Sequence, residues 1–114
     1  MKHFTANYIA PVDTIQEWMK KPESERKEAE EKMQQEWNTW MNEHKDAILN
    51  TISFGVTKRV SQNGVEDTRN GMMMSSYVTA ESLEAAAEIF KNHPHLVIPG
   101  ATIEIMEAKP MGNM

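Results

Sequence analysis

The stretch of sequence that decides the fold is Ala80–Pro110, which reads AESLEAAAEIFKNHPHLVIPGATIEIMEAKP. Its first half predicts a short helix that ends at Asn92, because the alanines favour helix and apolar side chains recur on one face. Pro94 cannot continue that helix, since it has no amide hydrogen to donate. After a turn at Gly100, apolar and polar residues alternate, which predicts a strand over residues 102–106.

Alternation of apolar and polar residues predicts three more strands upstream of this stretch. They cover Lys2–Ile9, the residues from Asn50 to Val60, and Met72–Thr79. The pair Asn63-Gly64 is a tight-turn signal after the second of these strands. A polar connection over residues 66–71 then leads into the third, so we expect four strands in all.

Two helical segments precede the second strand. A short one lies around Trp18, and a long one begins after Pro22, which suits the first turn of a helix. The apolar side chains of the long helix recur at steps of three and four, at Ala29, Met33, Trp37, Trp40, Met41, His44 and Ile48. Because Trp37 and Trp40 fit this spacing, core packing explains them better than stacking on a ligand.

The order of these elements predicts one α+β domain over residues 1–114. Two split β-α-β units make a ferredoxin-like sandwich, in which a four-stranded antiparallel sheet carries both helices on one face. The other face is then left to water or to a second copy of the chain. We expect that face to collect the polar side chains of the strands: His3, Thr5, Asn7, Ser53, Thr57, Thr102 and Glu104.

Composition excludes several classes of protein. The net charge is −5, without the clustered basic face that nucleic-acid binding needs. There is no cysteine, which excludes disulfides, thiol nucleophiles and thiolate metal sites. The sequence contains neither a signal-peptide pattern nor an apolar run of membrane-spanning length. We therefore expect a cytoplasmic protein that binds neither nucleic acid nor membrane.

At this point the sequence resembles the YCII-related (DGPF) family of small proteins. The resemblance covers residues 37–111 well and residues 1–36 only by architecture. It is carried by Ser76–Ala86, Pro94-His95-Leu96, Gly100 with Ile103–Ile105, Lys109-Pro110-Met111, Trp37–Met41 and Gly55–Ser61. It implies a ferredoxin-like protomer that pairs sheet to sheet into a homodimer, a dimeric α+β barrel.

The family resemblance also implies a candidate chemistry, with one departure. A catalytic site centred on histidine and aspartate has been proposed for some members, although most have no assigned reaction. Relatives tend to carry an acidic, glycine-rich turn before the second strand, where this chain has Ile48–Ile52. The acidic partner of a histidine-aspartate pair is therefore missing, which favours binding over catalysis.

Four residues are the candidates for a site. His95 lies at a helix exit, where an imidazole could reach the cleft between sheets as a general base or ligand contact. The alternative is that His95 only completes a turn through local hydrogen bonds. Glu104, on the polar face of the last strand, could assist as an acid or pair with a cation such as Arg59. His3 and Tyr77 complete the ligand-binding candidates.

The other histidines have simpler explanations. His93 fits the C-terminal end of a helix, where the dipole favours a cation, and His44 fits the apolar stripe of the long helix. His93 and His95 are too close in sequence for helical metal ligation, so we expect no metal and no cofactor.

Two functions from different classes remain open. The first is binding of a small molecule in the cleft between the two sheets of a homodimer, without chemistry. The second is a small cofactor-free enzyme, similar to an isomerase or lyase, in which His95 or His3 moves a proton and Glu104 assists. Sequence does not decide whether the protein is an enzyme.

Overall fold

The computed structural model describes residues 1–112 and has a mixed α+β fold. Two sheets and several helices make it up. In chain order the elements are β1 (Lys2–Ile9), α1 (Val12–Met19), α2 (Glu23–Glu43), β2 (Ile48–Ser53), β3 (Thr57–Ser61), β4 (Gly64–Thr68), β5 (Met72–Ala80), α3 (Leu83–Ile89), a 3-10 helix (Pro94–Val97) and β6 (Thr102–Glu107).

A four-stranded antiparallel sheet is the centre of the fold, as the sequence predicted. Its strand order is β2-β5-β1-β6, so β1 and β5 are the central strands. Within β1, Phe4, Ala6 and Tyr8 are fully buried, because they point toward α2 and α3. Trp40 of α2 and Phe90, which directly follows α3, belong to the same buried cluster. We call this side of the sheet the helix face.

The opposite side of the sheet, which we call the open face, carries the alternate residues of each strand. The register places these side chains in rows across the strands. The face comprises Asn50, Ile52, Ser75, Tyr77, Thr79, His3, Thr5, Asn7, Thr102, Glu104 and Met106.

The predicted faces of the second strand were wrong. Pairing between β2 and β5 is irregular between Ile48 and Asn50, so the alternation shifts by one residue there. Thr51 and Ser53 therefore lie on the helix face, and Ile52 lies on the open face. Thr57 is not in the main sheet either, because β3 leaves it.

Strands β3 and β4 form a separate hairpin that projects from the body, which we call the arm. The predicted second strand ran on into β3, and residues 66–71 were predicted as a polar connection. Instead, residues 64–68 pair with β3 around a turn in which Gly64 adopts a φ of 118°. Every residue from Lys58 to Asp67 is exposed.

The arm rejoins the sheet at Gly71, where two segments of backbone pass very close to each other. The Ala10 amide donates to the Gly71 carbonyl at 2.9 Å. A Cβ atom at position 71 would collide with the carbonyl oxygen of Ala10. Only glycine fits this approach without moving the end of β1 away from β5.

Helix α2 contacts the sheet mainly through its C-terminal half. Trp40 is buried there, and Trp37 and Met41 are half-buried against the core. Residues 27–32 are all exposed, and they carry charged side chains of both signs. Within residues 1–112, no helix is both long enough and apolar enough to cross a membrane.

Candidate functional site

His93 and His95 are buried on the helix face, each about 1% exposed. Ser82 begins α3 by accepting a hydrogen bond from the Ala85 amide at 3.1 Å. The chain leaves the helix through Asn92, whose φ is 61°. His93 then caps the 3-10 helix, because its Nδ1 accepts from the His95 amide at 3.0 Å. Its role is a cap, and not the dipole partner that the sequence suggested.

The imidazole of His95 ties the 3-10 helix to the central sheet. Its Nε2 lies 3.0 Å from the carbonyl oxygen of Ile9. A carbonyl only accepts, so Nε2 carries the proton and Nδ1 is a bare acceptor. Burial lowers the pKa of His95 below its ordinary 6.5, although hydrogen bonds to the Ile9 and Thr102 backbone oppose this. The alternative from the sequence, local hydrogen bonding, describes this geometry.

Aromatic rings surround the imidazole of His93. Its ring centroid lies 4.4 Å from that of Trp40, 4.5 Å from that of Trp37 and 5.2 Å from that of Tyr8. Since Nδ1 accepts from a backbone amide, Nε2 carries the proton, and it has no hydrogen-bond partner among the described residues. Burial, with smaller contributions from the charges of His95 and His44, lowers the pKa of His93 to about 4.

A chain of three hydroxyl groups crosses the helix face beside these histidines. The Tyr8 hydroxyl lies 2.7 Å from Ser76 Oγ, and Ser76 Oγ lies 2.7 Å from Thr51 Oγ1. Burial raises the pKa of Tyr8 to about 12, even though the hydrogen bond to Ser76 favours the ionised form. We call Tyr8, Trp37, Trp40, His93 and His95 the histidine cluster. Tyr8 and the two histidines of this cluster are fully buried, and Trp37 is half-buried.

A second group of polar side chains lies at the centre of the open face. Ser75 Oγ donates to Asn7 Oδ1 at 3.0 Å, and Asn7 Nδ2 donates to Thr5 Oγ1 at 3.2 Å and to the Glu104 carbonyl at 3.4 Å. These bonds fix the amide of Asn7, which is buried although no helix within residues 1–112 covers this face. We call Thr5, Asn7 and Ser75 the polar centre.

Three of the four predicted site residues lie on the open face around this polar centre. His3 stacks on Tyr77, with ring centroids 5.3 Å apart and an interplanar angle of 23°. Glu104 is opposite Asn7 in the register, and its side chain is exposed. The aromatic pair and the carboxylate therefore border the same surface.

His95, the fourth predicted residue, lies on the other side of the sheet. It contacts Tyr8 on the helix face, whereas Glu104 is on the open face. The structure thus separates the two residues predicted to share a catalytic step. The predicted partner of Glu104 was also wrong, because Arg59 pairs with Glu66 at 3.1 Å within the arm.

Sequence reasoning placed Thr5 and Asn7 on the polar face but missed Ser75 and the hydrogen bonds of the polar centre. Nothing in the sequence indicated that the amide of Asn7 is buried and fixed. Ser75 is 68 residues from Asn7 and Glu104 is 97 residues from it, so only the strand register brings these partners together.

Metal ligands do not converge in the described part of the chain. Within residues 1–112, no group of three or more histidine, aspartate or glutamate side chains is placed to hold a metal ion. A shallow surface groove between α2 and the 3-10 helix is lined by Glu36, Trp40, Glu43 and Pro94, among others, but it lies outside the open face.

Comparison with known protein families and with curated proteins finds no match to this chain. The resemblance to the YCII-related family stays a prediction that depends on the residues quoted for it.

Proposed function

We propose that this chain is a ferredoxin-like, YCII-related protein that dimerises through its open face and binds a small molecule in the cleft between the two sheets. The observation that carries the proposal is the polar centre. It holds a fixed, buried amide in the middle of a sheet face that no helix in the described part of the chain covers.

The strand order supports the ferredoxin-like part of the proposal. Among the sheet strands, the first and third in the chain are central, and the second and fourth are at the edges. Two interlocked β-α-β units produce this order, because each unit leaves a gap that a strand of the other fills. The arm is then an insertion between the second and third strands of that plan.

The apolar side chains of the open face support a second copy of the chain as its cover. Ile52, Tyr77 and Met106 are all exposed there, on three different strands. Large apolar side chains left exposed on a sheet face are typical of an interface between proteins. A sheet with helices on one face only has no cover of its own for the other.

The polar centre supports a polar ligand between the two sheets. A partner sheet would remove Thr5, Ser75 and the Glu104 carboxylate from water, and buried polar groups need hydrogen-bond partners. The stacked pair of His3 and Tyr77 provides an aromatic surface beside them. We therefore expect a small planar molecule with hydroxyl or carbonyl groups, such as a phenol or a lactone, or a small carboxylate.

The experiment is a thermal-shift screen of small carboxylates, phenols, lactones and divalent metals, followed by calorimetry on each compound that raises the melting temperature. It compares the wild-type protein with Tyr77→Ala and Asn7→Ala, and with Gln34→Ala as the matched control on the exposed side of α2. Binding that is lost at least tenfold in the first two variants and retained in the control supports the proposal. Binding that all variants retain places the site elsewhere and contradicts it.

The enzyme alternative now depends on His3 rather than on His95. His3 and Glu104 share the open face, whereas His95 is enclosed by the core. If a bound compound is converted to product by the wild-type protein and not by His3→Gln, the site performs proton transfer. Unchanged recovery of every bound compound would leave binding as the function.

A further inference from the structure

The two faces of the arm differ in character. Val60 and Val65 are directly opposite each other in the register and are 77% and 67% exposed. The ion pair between Lys58 and Asp67, at 2.6 Å, lies on the same face as the valines, and the ion pair between Arg59 and Glu66, at 3.1 Å, lies on the other face. The two valines are therefore exposed apolar side chains on a face that also carries an ion pair. We call that side, with Val60 and Val65, the valine face.

The described residues of the arm's own protomer leave Val60 and Val65 on the valine face exposed. Residues 58–67 are all exposed, and the arm's ion pairs, Lys58 with Asp67 and Arg59 with Glu66, connect its two strands to each other. A two-stranded hairpin without a covered apolar face is marginally stable in water. Packing of the valine face against a surface of another molecule would therefore stabilise the hairpin.

Exposed apolar side chains connect the valine face to the open face. Ile52 lies on the open face, and Phe54 continues β2, because its amide donates to the Met73 carbonyl at 2.9 Å. Val56, two residues further on, is 100% exposed. Ile52, Phe54 and Val56 thus lead from the sheet surface to the root of the arm, where Lys58 separates them from Val60.

The chain exposes more surface than a compact monomer of its mass. The chain exposes 8465 Å², whereas a compact monomer of 13.1 kDa exposes about 6,400 Å². Its radius of gyration is 16.1 Å, against about 13 Å for a compact chain of this length. The excess of about 2,000 Å² is larger than the roughly 800 Å² that each partner buries in a standard interface.

We propose that the valine face of the arm packs against a second copy of the chain, so that the dimer interface extends from the open face along Ile52, Phe54 and Val56 to the arm. This inference rests on the proposed homodimer and adds a surface to it. In a two-fold symmetric dimer, the arm of each protomer contacts the other protomer, so the same contact occurs twice.

The experiment measures the dimer dissociation constant by sedimentation velocity in the full-length protein. The test variant, Val60→Thr with Val65→Thr, keeps the shape and β-branching of the arm but adds hydroxyl groups to the valine face. The matched control, Arg59→Thr with Glu66→Thr, alters the opposite pair in the same hairpin and leaves the net charge unchanged. Far-UV circular dichroism checks that both variants are folded.

We expect the valine variant to weaken the dimer by about tenfold or more, because apolar area would no longer be buried well at two symmetric sites. The control should stay within about threefold of wild type. A dimer that the valine substitutions leave unchanged overturns this inference and leaves the proposed homodimer intact. Equal weakening by both variants also overturns it, and a monomeric wild-type protein overturns both proposals.

Discussion

At the scale of single residues, the histidine cluster shows how an imidazole can be held neutral. His93 accepts from the amide of His95, and His95 donates to the carbonyl of Ile9. Each bond fixes one tautomer, and protonating His93 would remove the acceptor that caps the 3-10 helix. We infer that these two residues stabilise the fold and take no part in the proposed site.

The cluster predicts that the protein loses stability in mild acid. The folded pKa of His93 lies at about 4, below the 6.5 of the unfolded chain. Below pH 6.5 the unfolded chain therefore binds a proton that the folded chain excludes. The free energy of unfolding should fall as the pH drops from 6.5 toward 4, by up to about 1.4 kcal/mol per pH unit for each such histidine. Urea unfolding at pH 7.5, 6.5, 5.8 and 5.0 measures this slope.

His93→Asn is the control for that prediction. The asparagine oxygen can still accept from the His95 amide, but the side chain does not titrate. We expect its slope between pH 6.5 and 5 to be smaller than that of wild type by about one proton. Equal slopes in the two proteins would contradict our assignment of the pH dependence to His93.

The sequence predicted which residue types share a face more reliably than which of them are buried. Alternation placed His3, Asn7 and Glu104 together, and the strand register agrees. It could not predict that His95 would be enclosed, because that depends on how the 3-10 helix folds back onto β1. The irregular pairing near Leu49 also has no sequence signal, yet it exchanges the faces of β2.

At the scale of elements, α2 is attached to the sheet near one end. Trp40 packs on Phe90 with ring centroids 5.2 Å apart, and Trp37 packs on Tyr8 at 5.1 Å. In the N-terminal half of the helix only Arg26 and Met33 are half-buried, and neither packs against the core cluster. Most of the stabilisation that α2 gives to the fold therefore comes from these two tryptophans.

Truncating each tryptophan should measure that attachment. Trp40 is buried, so we expect Trp40→Ala to lower the free energy of unfolding by about 3 to 5 kcal/mol. Trp37 is half-buried, so Trp37→Ala should cost less, near the lower end of that range. Gln34→Ala, one turn away on the exposed side, should change it by less than about 0.5 kcal/mol. Chemical denaturation measures all three.

A different outcome for Trp37 would change its role. If Trp37→Ala left stability unaltered but abolished binding of a compound found in the screen, the tryptophan would contact ligand. The interpretation of Trp37 as a core residue, which was based on the helical spacing of apolar side chains, would then be wrong.

The sequence predicted most of the elements because their periods are clear, and the largest difference concerns the arm. The alternation from Asn50 to Val60 runs without a break through Gly55, so sequence alone could not separate β2 from β3. Residues 64–68 are mostly polar, and they form a strand because β3 pairs with them. Strand β4 therefore forms because it pairs with β3, and the hydrophobic pattern of residues 64–68 does not predict it.

At the scale of the whole molecule, the open face presents the exposed apolar side chains Ile52, Tyr77 and Met106. We expect the protein to have twice its 13.1 kDa mass in solution by light scattering. Ile52→Lys should convert it to a monomer, because a buried ammonium group without a partner is costly to an interface. Gln34→Lys adds the same charge on α2 and should stay dimeric. A wild-type monomer at all accessible concentrations would contradict the homodimer.

The close approach of Gly71 to Ala10 has a consequence for how this chain can change over generations. The backbone contact holds the base of the arm, so the tip near Asn63 and Gly64 is free of constraints from the sheet. Insertions or deletions of paired residues at the tip would lengthen or shorten the arm without shifting the sheet register. The backbone at the base of the arm is therefore constrained. The length of the arm can change in related sequences only through its tip.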